Sequence, residues 1–520
     1  MATRQSNTPV TTGNSTPSSN STPSILDQIL NTDPKFVKLQ KSNDQKAKDE
    51  ANAAAKLILN DYVTQLPDAS ELEQKKAAVA VIQDLIKKVD EKLSADVSAI
   101  LHDPVFTELE ASWRGLRYLV FNTDTSKTLK LRLLSVKRGT LEKDLRNAVD
   151  TDQSVLFKKV YEEEYGTYGG NPFSLLIGDL KFGKGATDIE LLTNISKVAS
   201  AAHTPFIAAA SPDLFNMDSF TELGVPRDIS KVFETPQLAA FNSFRKSEDA
   251  RYVTLTLPRF LLRLPYGDTT IKSENFGMDE NLVPEAPAGN GAPATNHHKY
   301  LWGNSAYALG VRITSAFAKY GWCAAIRGPE GGGKVTNLPM HIFDTEEGDK
   351  AMKCPTEVSI TDRREKELND LGFVSLVHCK GTNFAAFFGG QTTHKPPKFD
   401  LEAANANAAL SARLPYLLAA SRFAHYLKVM CRDKIGTFQT KETMALYLNR
   451  WIMLYVLATD DAGQDVKAQF PLRDARIDVT EKPGEPGAFR AVCFLRPHFQ
   501  LEELTTSIRL VAELPPPVAA

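Results

Sequence analysis

Two apolar segments on either side of a helical segment constrain the fold of this chain more than any other feature. Phe173–Ile177 and Pro205–Ala210 are largely apolar, and Asp188–Ala202 between them has helical periodicity. Strands with such continuous apolar character are buried on both faces, and a connecting helix makes them parallel neighbours. Tyr252–Leu257 and Gly372–Val377 are further candidate strands. The sequence therefore predicts an α/β (α+β mixed) fold with a mixed sheet and flanking helices.

Helical periodicity precedes this unit. It predicts helices at Ser42–Gln65 and Ser70–Leu101, and the second has apolar residues every three or four positions. That stripe fits a coiled-coil seam or, as we favour at this length, an ordinary packed helix. A third helix starts at Asp103-Pro104, alternation predicts a strand at Leu129–Val136, and a further helix is predicted at about Leu141–Tyr161. The residues of the third helix that we expect to face inward are Phe106, Leu109, Trp113 and Leu116.

The composition narrows the classes of partner and compartment. The chain has 520 residues and a formal net charge of −2, so it lacks the basic excess of a nucleic-acid-binding protein. Five separated cysteines with no C-x-x-C indicate free thiols in a reducing compartment. No secretory signal or apolar run of about 20 residues occurs, which predicts a soluble cytoplasmic protein without membrane insertion.

The beginning of the chain combines a polar arm with one apolar island. Residues Met1–Ser24 are nearly all Thr, Ser, Asn, Pro and Gly, a composition typical of disorder. Ser24–Asn31 then has the pattern of a short amphipathic helix. Its apolar face consists of Ile25, Leu26, Ile29 and Leu30. From composition alone, this island either docks on its own domain or is a linear motif for another protein.

A glycine-rich loop carries the strongest hint of catalysis. Tyr300–Phe317 and Gly321–Arg327 are predicted as a core helix and a buried strand, and Gly328–Lys334 then matches G-x-x-x-x-G-K. A P-loop continues with Ser or Thr and opens a helix that binds phosphate. Val335 and Pro339 remove both features. We therefore favour a turn over the alternative, a P-loop-like NTPase or motor component.

No other pattern indicates a catalytic, cofactor or metal site, because H-E-x-x-H, G-x-S-x-G and paired cysteines are missing from the sequence. One basic helical face is a candidate interaction site. Its residues recur at three- and four-residue steps. They are Arg422, His425, Lys428 and Arg432. The face is either solvated or docks on an acidic partner surface.

The last part of the chain changes character. Thr393–Pro397 resembles a linker, and two helices are predicted at Leu401–Arg432 and Lys441–Thr459. Strands follow from about Arg476, with Ala488–Leu495 and Thr505–Glu513 as the clearest. A terminal strand region with little helix beside it has open edges, which natural proteins cover or pair with another chain.

Several blocks in order, covering nearly the whole chain after the arm, resemble the large subunit of the type VI secretion contractile sheath, the TssC/VipB/EvpB family. The blocks are Asp103–Phe106, Leu109–Leu116, Leu257–Gly267, Tyr300–Asn304, Tyr320–Gly333, Pro355–Glu357, Ser421–Lys428 and Pro497–Gln500. Members of this family carry a Gly-rich turn that is not an ATP site. A sheath of a related phage-tail-like machine is the nearest structural alternative.

The resemblance implies a phage-tail-sheath-like, multidomain structural protein rather than an enzyme, with no cofactor. It implies pairing with a small sheath subunit (TssB/VipA-like) and helical stacking of six-fold rings around an Hcp-like inner tube. Contraction would propel tube and spike into a target cell, in contact with baseplate components. A ClpV-type AAA+ ATPase would disassemble the contracted sheath, and in some members it captures an N-terminal helix. The resemblance therefore favours the interpretation of Ser24–Asn31 as a linear motif.

Three domains are expected on this basis. Residues 1–60 are the arm with its short amphipathic helix at 24–31 and the start of an outer helical region. Residues 61–395 form a large α/β sheath domain, and residues 396–520 form a helix pair with a strand-exchange inner domain. The basic face is expected to meet the inner tube or the partner subunit.

Overall fold

The computed structural model describes most of the chain after the first 70 residues. The described residues are 71–280, 282, 296–344, 350–437, 440–459, 461–484 and 488–500. They divide into two compact units. One contains residues 71–101 and 265–280, and the other contains the remaining described residues.

The helices have the following bounds: α1 Glu71–Leu101, α2 Pro104–Phe121, α3 Arg138–Asn147, α4 Ala186–Ala201, α5 Ala239–Lys246, α6 Ser305–Tyr320, α7 Asp362–Asp370, α8 Glu402–Ser411, α9 Leu414–Asp433, α10 Lys441–Ile452 and α11 Gln464–Gln469. A single α-turn at Val155–Phe157 leads into a π-helical segment at Lys158–Gly166.

The strands are β1 Leu176–Phe182, β2 Phe206–Ala210, β3 Val253–Leu257, β4 Phe260–Leu261, β5 Trp302–Gly303, β6 Lys334–Val335, β7 Ile342–Asp344, β8 Lys350–Met352, β9 Phe373–His378, β10 Ala385–Phe387, β11 Leu472–Glu481 and β12 Phe489–Pro497. Within the described ranges, three two-stranded sheets, β4–β5, β7–β8 and β11–β12, accompany one six-stranded sheet.

The smaller unit is built around α1. Asp90 accepts a hydrogen bond from the Gly277 N–H at 3.0 Å, and the Ser94 hydroxyl accepts one from the Asp279 N–H at 3.1 Å. These contacts bind residues 265–280 to the helix although the two segments are far apart in sequence. The helix predicted at Ser70–Leu101 is confirmed, whereas the one predicted at Ser42–Gln65 lies outside the described residues.

The six-stranded sheet confirms the predicted mixed α/β core. Its order is β1-β2-β3-β9-β10-β6. The first four strands are parallel to one another, β10 is antiparallel to β9, and β6 is antiparallel to β10. Alternate residues of β9 enter different apolar clusters, Phe373 on one face and Val374 on the other. Since both faces are covered, the central strands β2, β3 and β9 are buried at every position.

Position in the sheet explains the shift of β1. The predicted strand Phe173–Ile177 begins three residues earlier than β1. Among the described strands β1 pairs only with β2, so it is an edge strand, and Asp179 and Lys181 are exposed on it. An edge strand tolerates such polar residues, and therefore an apolar pattern alone marks its ends poorly.

The strand predicted at Gly321–Arg327 is wrong. Gly321 ends α6 with a left-handed φ of 76°, and the segment after it is irregular although Ile326 is buried. The ladder position beside β10 is taken by β6, where Val335 pairs with Ala385. The buried apolar residues of this segment therefore fill the core without joining the sheet.

The strand predicted at Leu129–Val136 is also wrong, because that segment has no ladder partner among the described residues. The single helix predicted at Leu141–Tyr161 is divided between α3 and the π-helical segment. Likewise, Leu401–Arg432 is two helices, α8 and α9, since the chain turns at Ala412 and Pro415 occupies the first turn of α9.

The predicted linker at Thr393–Pro397 is packed rather than solvent-exposed. The Thr393 hydroxyl donates to the Ala250 carbonyl at 2.9 Å, and the Lys395 N–H donates to the Arg245 carbonyl at 2.7 Å. His394 is 2% exposed. The polar residues that suggested a linker instead form hydrogen bonds beside β3.

Candidate functional site: loop, basic face and open surfaces

The glycine-rich loop uses its own backbone donors inside the chain. The Gly328 N–H donates to the Phe387 carbonyl at 2.7 Å, and the Gly333 N–H donates to the Gly328 carbonyl at 2.8 Å. A Cβ at Gly333 would lie 2.7 Å from the Phe387 carbonyl oxygen. Glycine is therefore required for the close approach of two backbone segments. These two N–H groups do not point into an anion cradle.

Lys334 departs further from a phosphate-binding lysine. Its ammonium lies 4.1 Å from the centre of the Phe384 ring, and the residue belongs to the short strand β6. A phosphate site would need a helix N-terminus immediately after the loop. The geometry is that of a tight turn which brings β6 onto β10.

The four residues of the predicted basic face lie on α9 but have different environments. Arg422 places its guanidinium 4.6 Å from the centre of the Tyr426 ring. Lys428 places its ammonium 3.4 Å from the Tyr165 ring centre, and Arg432 donates to the Thr167 carbonyl at 2.9 Å. The structure thus directs two of the cations to the region of the π-helical segment of their own chain.

His425 contributes no positive charge to this face at neutral pH. It is 2% exposed, and its Nε2 donates to the Ala202 carbonyl at 2.9 Å. Burial outweighs that hydrogen bond and lowers the pKa of His425 to about 4. A neutral imidazole here is a core group that joins α9 to the end of α4.

A cavity of about 260 Å³ lies where α9 meets the segment after the π-helix. Lys428 and Arg432 line it together with Tyr168 and Gly170. Burial lowers the pKa of Lys428, and the neighbouring Arg432 acts in the same direction. The cavity therefore has cationic side chains at its wall, but both already contact groups of the chain itself.

The apolar face of α2 points outward, which corrects the expected packing of this helix. Leu109 is 55% exposed and Trp113 is 62% exposed, and Phe106 is exposed as well; only Leu116 of the four is half-buried. The inward side is set by Gly115, where a Cβ would lie 2.5 Å from the Tyr307 ring. Helix α2 therefore packs on α6 through its smallest residue and leaves larger apolar residues at the surface.

This surface, which we call the α2 apolar face, consists of Leu109, Trp113 and Val120. Their spacing of four and seven residues places them on one side of the helix. Contiguous exposed apolar residues of this kind mark interaction sites in soluble proteins. The periodicity was visible in the sequence, but periodicity does not say whether a face is turned towards the core or towards a partner.

The terminal hairpin presents a second open surface. Residues Leu472, Ala475, Ile477 and Val479 of β11 are buried against a separate apolar cluster. Strand β12 pairs with β11 alone among the described strands, and Phe494 on it is 50% exposed. The strand predicted at Ala488–Leu495 is confirmed by β12. The strand predicted at Thr505–Glu513 lies outside the described residues, as does the island Ile25, Leu26, Ile29 and Leu30.

Comparison with known proteins identifies the family. The EvpB/VC_A0108 tail sheath N-terminal domain matches residues 83–394, and the EvpB/VC_A0108 tail sheath gpW/gp25-like domain matches residues 403–514. The chain belongs to the EvpB/VC_A0108 tail sheath family. The type VI secretion system sheath protein TssC1 of Pseudomonas aeruginosa is 49% identical over 441 residues, 84% of this chain and 86% of that protein.

The family match confirms the predicted type VI secretion sheath family. Among solved structures, the helical sheath of the anti-feeding prophage in its contracted state is similar at 10% identity, with a TM-score of 0.31 over 62% of this chain and 66% of that one. The contracted sheath complex of the extracellular contractile injection system PVC has a TM-score of 0.31 at 8% identity, over 61% and 68% of the two chains.

Two further findings concern the described part of this chain. No three His, Cys, Asp or Glu side chains in it are grouped as a metal site requires. None of its helices is long and apolar enough to cross a membrane. The described residues also present two open surfaces, the α2 apolar face and the edge of the terminal hairpin.

Proposed function

We propose that this chain is the large subunit of a type VI secretion contractile sheath in the bacterial cytoplasm. It pairs with a small TssB/VipA-like subunit, and the heterodimers stack with further copies into a helical tubule of six-fold rings. The tubule surrounds an Hcp-like tube and contacts baseplate components. The observation that carries the proposal is the match of both tail sheath domains along the chain, residues 83–394 and 403–514.

The open surfaces of the chain support assembly through protein contacts. Strand β12 offers an unpaired edge among the described strands, and backbone hydrogen bonds to a neighbouring chain can extend such a sheet. The α2 apolar face offers a dry contact for a second partner surface. Protomers linked through a shared sheet stay connected while the other interfaces repack during contraction.

Electron microscopy of the chain co-expressed with the product of the neighbouring small gene tests this function. We expect tubules with a six-fold, cogwheel-shaped cross-section. A mixture of soluble monomers under conditions in which both proteins are folded would contradict the proposal. The matched control is the chain expressed alone, because a heterodimeric sheath needs its small subunit to form tubules.

Recycling by a ClpV-type ATPase is a second, separable part of the proposal. Its proposed recognition element is the amphipathic island with the apolar residues Ile25, Leu26, Ile29 and Leu30. The double substitution Ile25→Asp and Leu26→Asp is expected to abolish capture of the chain by the ATPase in a pull-down while tubules still form. Undiminished capture would remove this element from the proposal.

The basic face is proposed to meet the inner tube or the small subunit. With His425 neutral and Lys428 and Arg432 engaged inside the chain, Arg422 is the residue of this face that we expect to matter most. Arg422→Glu should weaken co-purification of the tube protein. Unchanged co-purification and tubule formation would show that the face is solvated.

No catalytic step is assigned to the chain. The glycine-rich loop forms a turn, and Lys334 contacts the Phe384 ring. Both observations support this part of the proposal. Lys334→Ala should leave ATP retention by the purified protein at background level, as in the unsubstituted chain. Saturable ATP binding that is lost in this variant would instead favour the NTPase alternative.

A further inference from the structure

A cysteine and a histidine outside the surfaces discussed so far form a hydrogen-bonded pair. Cys354 follows β8, and His378 is the last residue of β9. The Cys354 Sγ lies 3.5 Å from the His378 Nδ1 and 3.2 Å from the Thr356 hydroxyl oxygen. Cys354 is half-buried, and His378 is 9% exposed. This places a thiol within hydrogen-bonding reach of an imidazole at the end of the central sheet.

A third group fixes the tautomer of the imidazole. The His378 Nε2 lies 2.8 Å from the Thr382 carbonyl oxygen, which can only accept a hydrogen bond. Nε2 therefore carries a proton, and in the neutral ring the lone pair is on Nδ1, which faces the thiol. A nucleophile, a base and a group that orients the base are the arrangement that activates cysteine for attack.

The electrostatics of the pair differ from those of the other half-buried thiols. Burial raises the pKa of Cys323 to about 12 and that of Cys493 to about 11, and it also raises the pKa of Cys431. Burial opposes ionisation of Cys354 too, but hydrogen bonds from His378 and Thr356 outweigh it and lower the pKa of this thiol.

The hydrogen bonds of His378 likewise favour its charged imidazolium form. Burial lowers the pKa of His378, and hydrogen bonds to the Cys354 sulfur and the Thr382 carbonyl outweigh burial and raise it. Lys353 precedes the thiol in the chain and interacts electrostatically with Cys354, and its ammonium lies 2.9 Å from the His297 Nδ1. A neighbouring ammonium also favours thiolate over thiol.

We propose that Cys354 is a modification site whose thiol is activated by His378 towards small soft electrophiles and peroxides. In the first step the Cys354 proton moves to the His378 Nδ1. With an alkyl iodide, the sulfur forms a bond to carbon and iodide leaves with the bonding electron pair. With hydrogen peroxide, the sulfur attacks one oxygen and the O–O bond breaks. The sulfur is then oxidised to a sulfenic acid, and the departing hydroxide takes the imidazolium proton to become water.

Cys379 provides an internal comparison one residue beyond His378. It is exposed, whereas Cys354 is half-buried. If accessibility alone decided the rate of modification, Cys379 would react faster. If His378 activates Cys354, then Cys354 should react faster at low pH. The purified full-length chain is treated with limiting iodoacetamide between pH 6 and pH 9, and modification of each cysteine is followed by peptide mass spectrometry.

At pH 6.5 we expect Cys354 to be alkylated several-fold faster than Cys379, since the lowered pKa of Cys354 leaves more of this thiol as thiolate. His378→Asn should slow Cys354 by a similar factor and leave Cys379 unchanged. Equal rates for the two wild-type thiols, or an unchanged Cys354 rate in a folded His378→Asn chain, would overturn the proposal.

His378→Gln gives a second variant in case His378→Asn fails to fold, because it also removes the imidazole next to the sulfur. The activation model predicts a comparable decrease in the Cys354 rate and a shift of its pH profile to higher pH. A profile that does not move would overturn the proposal by the same reasoning. Thermal unfolding of each variant separates loss of activation from general opening of the fold.

Discussion

The six-stranded sheet and the terminal hairpin use strands in opposite ways. In the sheet, β2, β3 and β9 are buried at every position, and helices or loops cover both faces. In the hairpin, only β11 is anchored by a row of buried side chains, and β12 is largely exposed. The central strands of the sheet are covered on both faces within one chain, whereas β12 has an edge and exposed side chains that a second chain can cover.

We propose that this difference separates the residues that maintain the subunit from those that build the tubule. Side chains of the sheet contribute apolar burial that exists in the isolated chain. The exposed side chains of β12 and the α2 apolar face gain such burial only in an assembly. Substitutions in the two sets should therefore affect different measurements, and the following predictions are ordered by their effect on the free energy of unfolding.

The largest effect is expected at Phe373 of β9. The residue is fully buried, and its ring centre lies 4.9 Å from that of Phe215 and 5.7 Å from that of Phe233. Phe373→Ala should lower the free energy of unfolding by about 4 kcal/mol because it leaves a cavity among aromatic rings. Denaturant titration measures this. Phe494→Ala on β12 is the matched control, and a similar loss there would end the contrast between sheet and hairpin.

Glu357 should show a somewhat smaller, pH-dependent effect. Its side chain is fully buried and accepts a hydrogen bond from Arg259 Nε at 2.8 Å. Burial opposes its ionisation, but the hydrogen bonds from Arg259 and the nearby His297, whose Nε2 lies 4.0 Å from the carboxylate, outweigh burial and lower its pKa from 4.5 to about 2. Glu357→Gln should cost about 3 kcal/mol at neutral pH, because Arg259 then lacks its partner.

The sign of the pH dependence follows from the lowered pKa. The carboxylate stabilises the fold fully above about pH 4.5, and this contribution is lost as the pH falls towards 2. The stability difference between the wild-type chain and Glu357→Gln should therefore narrow below pH 4.5. A difference that stays constant across pH 3–7 in chemical denaturation would show that the ion pair is not its origin.

Within the hairpin the two strands should differ from each other. Ile477 on β11 is 1% exposed, and its backbone N–H donates to the Asn449 side chain of α10 at 2.9 Å. Ile477→Ala should cost about 2 kcal/mol in unfolding free energy. Val492→Ala on β12, where the valine is 38% exposed, should cost less than about 1 kcal/mol. Equal costs would mean that β12 is already packed in the isolated chain.

The smallest effect on the isolated chain is expected on the α2 apolar face. Trp113→Asp should change the unfolding free energy by no more than about 0.5 kcal/mol, since the side chain is 62% exposed. It should nevertheless prevent tubule formation with the small subunit, as judged by sedimentation and electron microscopy. Gly115→Leu is the opposite control, because it should disturb the packing of α2 on Tyr307 directly. Normal tubules of Trp113→Asp would show that this face is not an assembly surface.

The sequence predicted the parts of the fold in which local pattern and burial agree. The helix at Ser70–Leu101 and the strands near Pro205–Ala210 and Gly372–Val377 were found within a few residues of their predicted bounds. The sequence-based predictions were wrong where tertiary contacts determine which segment joins the sheet or which helix face is buried. Gly321–Arg327 has the composition of a strand, but the ladder position is occupied by β6. The apolar residues of α2 have the right period, but Gly115 determines which side packs.

The candidate sites show the same limit. The glycine-rich loop could be recognised as a turn because Val335 and Pro339 remove groups that a phosphate site requires. The basic face was correctly placed on one helix, but its period could not show that His425 is buried against Ala202. The pair of Cys354 and His378 left no sequence signal, since the two residues are far apart in the chain and meet only when β9 takes its place.

The strand order of the sheet has a consequence for synthesis of the chain. β3 ends at Leu257, but its neighbour β9 ends at His378, and every residue between them must leave the ribosome first. At about 5–20 residues per second, one long edge of β3 stays open for roughly ten seconds. During that interval the nascent protein exposes an apolar strand with one unpaired edge. Shielding by chaperones, and thus the supply of subunits, is therefore most critical before residue 378 is translated.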